Sequence, residues 1–163
     1  MRTAGLIALA ALTALVVQST LLPLLPIGPV LPDLMLVVCV YLGLYVHSPA
    51  GALGAFLIGY AQDAFSGTVL GINAFAMSLV FVSVYLTSRH LWVNNTLSQI
   101  VLVFLASLVK TVTIVALIGV FLSLDGLWRT ILKYIFLEAA LAAVFSPPIF
   151  AVLARTHQLE PNA

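Results

Sequence analysis

Few side chains in this sequence could do chemistry, and those few sit in apolar surroundings. Asp63, with Gln62, Ser66 and Asn73 close by, and Glu138 are carboxylates set among apolar residues. Lys110 is a cation in the same situation, with Ser107, Thr111 and Thr113 around it. Two carboxylates at depth are what an intramembrane acid–base enzyme would use, so Asp63 and Glu138 are the pair to weigh for catalysis. Nothing accompanies them: no nucleophile–base spacing and no phosphate-binding glycine loop occur. The histidines, His47, His90 and His157, are far apart, without a second ligand-type residue at metal-site spacing, and HExxH and CxxC are absent. Cys39 stands alone in an apolar run and reads as a small packed hydrophobe. The chemistry-bearing residues therefore call for no catalysis, metal or cofactor. Their expected work is pairing and capping.

The elements that must position these groups are membrane helices. Of 163 residues, 63% are hydrophobic and 7% charged, and mean hydropathy is +1.23. A soluble domain carries about 25% charged residues. A membrane-spanning helix needs roughly 20 apolar residues, and several such runs leave no room for a separate soluble domain. With no barrel-type alternation, helices are the way to satisfy the backbone in hydrocarbon. The reading is an all-α polytopic membrane protein, a single domain over residues 1–163, with spans at 3–22, 31–46, 49–64, 68–87, 97–122 and 130–154. Arg2 followed by Ala4–Val17 mimics a signal peptide. Leu21-Leu22-Pro23-Leu24-Leu25 continues the apolar run, favouring an uncleaved first span. Pro147-Pro148 should kink the last span. Arg2, Arg89 and Arg155 against Arg129 and Lys133 favour both termini in the cytoplasm. There is no basic run for nucleic acid.

Three local patterns add detail. Prolines 23, 26, 29 and 32 would line one edge of a stiff polyproline connector, either a plain interfacial loop or a strap for a partner. Gly51, Ala55 and Gly59 form a close-packing stripe on the third span, suited to a neighbouring helix or a partner's helix. Asp63 and Ser66 then open a turn in which the carboxylate either caps the next helix or contributes to a polar site. Lys110 is expected to pair with Glu138 or with Asp63, the alternative being an unpaired lysine that snorkels.

Pro32-Asp33-Leu34 at the start of the second span, followed by Gly59-x-x-x-Asp63-x-x-Ser66-Gly67-x-x-x-Gly71, resembles the bacterial rod shape-determining protein MreD family. The motif likeness covers about residues 28–90, and size and span count extend it to the whole chain. The resemblance implies a non-enzymatic inner-membrane component of the peptidoglycan elongation machinery. Its implied partners are MreC directly, and MreB, the glycosyltransferase RodA and a class B penicillin-binding transpeptidase indirectly. The family is also similar to the substrate-binding subunits of energy-coupling-factor transporters. That likeness implies a six-helix fold and, as the second hypothesis, a vitamin-binding subunit. By resemblance the positions to watch are Pro32, Asp33, Asp63, Ser66, Gly67 and Gly71. Lys110 and Glu138 match no family motif.

Overall fold

The computed structural model describes residues 33–46, 48–66, 69–89, 95–122 and 127–158, with a few positions before residue 19. Within 121–134 and 155–158 only the backbone is described. Five α-helices make up these residues: α1 (Leu34–Tyr45), α2 (Pro49–Ser66), α3 (Ile72–Ser88), α4 (Thr96–Leu122) and α5 (Leu127–Gln158). They correspond to the second to sixth expected spans. All but positions 13, 14, 16 and 18 of the first expected span, together with the proline connector, Pro32 and Gly67, lie outside the described residues.

α1 is the centre. Every residue from Met35 to Leu44 is buried, and the helix packs against all four others. A helix apolar on every face belongs in a core, which explains why LMLVVCVYLGLY shows no polar side. Two weakly polar groups tie it to its neighbours. The Cys39 thiol donates to the Met77 carbonyl on α3 at 3.3 Å, and the Tyr41 hydroxyl donates to the Leu153 carbonyl on α5 at 3.2 Å.

α2 and α3 form the tightest pair, and the small-residue stripe makes it possible. A Cβ on Gly59 would lie 2.5 Å from the Asn73 carbonyl oxygen and 2.6 Å from the Ala74 Cα. A Cβ on Gly51 would lie 2.5 Å from the Val46 carbonyl and 3.1 Å from the Phe81 ring. Ala55, between them, is fully buried. Of the two uses expected for Gly51, Ala55 and Gly59, the structure employs them for packing within the chain. The opposite face of α2 carries Leu53, Phe56, Leu57 and Tyr60, all exposed.

α4 and α5 include stretches of 25 and 20 residues, Thr96–Val120 and Ile135–Ala154, long and apolar enough to cross a bilayer. Helix α5 runs from Leu127 to Gln158 with Pro147 and Pro148 inside it, where the sequence suggests a kink. Proline at 147 removes the N–H that would bond the carbonyl of Ala143. The buried Ser146 hydroxyl donates to that same carbonyl at 2.7 Å. A neighbouring hydroxyl thus satisfies the acceptor that proline orphans, as hydrocarbon surroundings require.

The α2–α3 contact predicts that Gly59→Ala lowers the unfolding temperature in detergent, with a loss of about 1–3 kcal/mol typical of overpacking. Gly119→Ala, whose Cβ would meet nothing within 4 Å, should not lower it. Equal behaviour of the two variants would contradict the packing described.

Candidate functional site

The polar residues gather into one layer at the level where α1 begins, α2 ends and α3 begins. It has two parts.

The first is built on Asp63, in the last turn of α2 and almost fully buried. Its Oδ2 accepts from the backbone N–H of Gly71 at 2.9 Å and of Ala74 at 3.2 Å. Its Oδ1 accepts from the Asn73 backbone N–H at 3.1 Å and from the Asn73 side-chain amide at 2.9 Å. The first turn of a helix has N–H groups with no partner in the helix, and its positive dipole end favours a carboxylate. Gly71 is the N-cap residue of α3 but has no side chain to cap with, so the preceding helix supplies the capping group. Gly71 has φ 103°, the left-handed region that glycine enters without strain, and this lets the chain reverse within reach of Asp63. The Ser66 hydroxyl donates back to the Asp63 carbonyl at 3.4 Å. Between the cap and the polar site weighed for Asp63, the geometry is that of a cap. The turn also starts α3 at Ile72, four residues later than the expected 68.

The second part is an ion pair. Lys110 on α4 is buried and its ammonium bonds Asp33 at the head of α1. Gln62 closes the group: its Oε1 accepts from Lys110 at 3.1 Å, and its amide nitrogen lies 3.4 Å from both Asp33 oxygens. Asp33 Oδ1 also accepts from the Leu36 N–H at 3.1 Å, capping α1. Three helices are thus joined through one carboxylate.

This corrects the expected pairing. Lys110 meets neither Glu138 nor Asp63, because α1 is short. Counted from the other ends of their helices, Asp33 is 12 residues from Tyr45 and Lys110 is 14 residues from Thr96. At 1.5 Å per residue these are depths of about 18 and 21 Å, the same level. Asp63 is unsuited as the partner because its oxygens are already occupied by α3. Glu138, half-buried on α5, is near enough to interact electrostatically with Asp33 and Lys110 but forms no ion pair or hydrogen bond among the described residues. The sequence reading therefore missed Asp33 as a charge partner. The tight Ser48-Pro49 turn was the signal, since counting from it sets Asp33 and Gln62 at one depth, which Lys110 matches when counted from Thr96.

Several other hydroxyls of α3 and α4 bond back to their own helices. Ser78, Ser83 and Thr87 donate to carbonyls of α3, and Thr111 and Thr113 to carbonyls of α4. No group of three or more metal-ligating side chains occurs among the described residues.

Helices with apolar outer faces, two of them long enough to cross a bilayer, around a polar layer spent on capping and ion pairing define a helical membrane protein. The chain belongs to the rod shape-determining protein MreD family: the family model matches residues 2–156, nearly its whole length, which ties the protein to bacterial cell shape. No curated protein and no solved structure matches it.

Two consequences can be measured by unfolding in detergent. Asp63→Ala orphans four donors at about 1–3 kcal/mol for each group left unsatisfied, so it should be among the most damaging single changes, and Asp63→Asn, which keeps an acceptor, should cost less. Equal losses would show that the carboxylate is not the cap. Lys110→Met and Asp33→Asn should each cost about 3–5 kcal/mol by stranding a buried charge, and the double variant should lose much less than their sum. Additivity there would dissolve the pair.

Proposed function

We propose that this chain is a non-enzymatic scaffold of the cell-elongation machinery in the bacterial inner membrane. In this reading it is one membrane domain of six spans with both termini in the cytoplasm. It holds the transmembrane helix of MreC and so places the periplasmic part of MreC near the peptidoglycan synthases. MreB, RodA and a class B penicillin-binding transpeptidase would be reached indirectly, through the assembled complex.

One observation carries the reading. The buried charges Asp33, Asp63 and Lys110, which an enzyme or carrier would need available, are each held by bonds that join one helix to another. Their arrangement supports rigidity, and a rigid body with exposed apolar faces suits a protein that acts by holding others. The orientation rests on the placement of Arg89, at the end of α3 opposite Asp63, where its guanidinium stacks 4.9 Å from the Tyr85 ring. An arginine at that helix end fits a cytoplasmic boundary. The faces left to meet MreC are not the glycine stripe but the outward apolar sides, such as Leu53, Leu57 and Tyr60 on α2 and Phe145 and Val152 on α5. The vitamin-binding alternative has no observation in its favour.

The test is capture of the full-length chain from membranes containing MreC, with mass spectrometry of both proteins and small molecules. Stoichiometric MreC is the expected result. A bound small molecule without MreC would overturn the scaffold reading.

A further inference from the structure

Among the described residues, Glu138 is the one titratable group near the polar layer that makes no ion pair or hydrogen bond. It lies 11 residues from the start of α5, about 16 Å along the helix, so it is well inside the apolar part of the molecule. Its neighbours Asp33 and Lys110 already neutralise each other, with Gln62 and the Leu36 N–H taking up what capacity remains. That leaves Glu138 as a carboxyl group with no ion pair or hydrogen bond among the described residues, beside a balanced pair.

Its position on the helix makes it reachable from outside. The buried face of α5 runs through Ile135, Ala139, Ala142, Ser146, Phe150 and Leu153. At 100° per residue Glu138 sits at the margin of that face, in line with Phe145 and Val152, which are 40% and 59% exposed. The result is a seam: a carboxylate with apolar side chains about two and four turns further along. Lipid can cover Phe145 and Val152 but offers a carboxyl group no hydrogen-bond or charge partner. A cationic side chain on another helix is equally unsuited to lipid alone, and each removes the other's penalty. Interhelical polar pairs of this kind join membrane helices.

We propose that this seam of α5 receives a membrane-spanning helix of the partner, whose lysine or arginine pairs with Glu138 while its apolar side packs on Phe145 and Val152. The proposal rests on the scaffold reading, with MreC as the partner tested.

The experiment compares full-length wild-type chain and Glu138→Gln for recovery of MreC from membranes, alongside the unfolding midpoint of each chain purified alone. In parallel, a photoreactive phenylalanine replaces Phe145 or, on α3, Leu79. The expected result is a loss of MreC recovery of at least ten-fold in Glu138→Gln, with an unchanged midpoint and cross-links to MreC from position 145. Undiminished recovery by a folded Glu138→Gln chain, or cross-links from position 79 and not 145, would overturn the seam while leaving the scaffold reading intact. Failure of the wild type to recover MreC would overturn both. If Glu138→Gln does not fold, the cross-links alone decide.

Discussion

Inside a bilayer no water is present to complete an unfinished hydrogen-bond set, so each helix end and each charge placed there needs a partner from the chain itself. Asp63 meets this demand for the start of α3, where three backbone N–H groups and the Asn73 amide converge on one carboxylate. Much else depends on that convergence. For the carboxylate to reach α3, the ends of α2 and α3 must touch, and they touch only because position 59 carries no side chain. For the turn to return in so few residues, Gly71 must take a left-handed conformation. The stripe, the carboxylate and the glycine turn are one device.

The Lys110–Asp33–Gln62 group extends the same logic to the helices on either side. Asp33 caps α1, the buried central helix, and is tied to α4. Gln62, one residue before the cap of α3, joins the two polar clusters through α2. A buried pair of this sort adds little net stability compared with apolar packing, because desolvation offsets the attraction, but removing one partner is strongly destabilising. What it supplies is register. Lys110 can meet Asp33 only if α1 and α4 are set at matching depths. That fits the scaffold role proposed for this member of a shape-determining family.

Much of this was legible in the sequence, and what was not has physical causes. Hydropathy located the five described helices, since apolar length is the dominant signal in a membrane chain. The Gly51–Ala55–Gly59 stripe and the Asp63 turn were visible as types and spacing, but whether the stripe served a neighbour within the chain or a partner depends on distance, which spacing does not contain. Lys110 was recognised as needing a partner. Its choice of Asp33 was hidden because a span opening at residue 31 puts Asp33 at the membrane surface, whereas a helix of 12 residues draws it to the depth of the lysine. The repair of the proline break by Ser146 was equally hidden, although the order Ser-Pro is its local signature.

The central claim is that the buried charges organise the fold and do no chemistry of their own. It is tested most directly by replacing the pair as a unit, with Asp33→Asn, which retains the cap on α1, and Lys110→Met in the same chain. Cells relying on that double variant should stay rod-shaped, because no charge is left stranded in the apolar interior and the cap on α1 is retained. A double variant that folds and still captures MreC, yet leaves the cells round, would contradict the account by showing that the charges themselves are required.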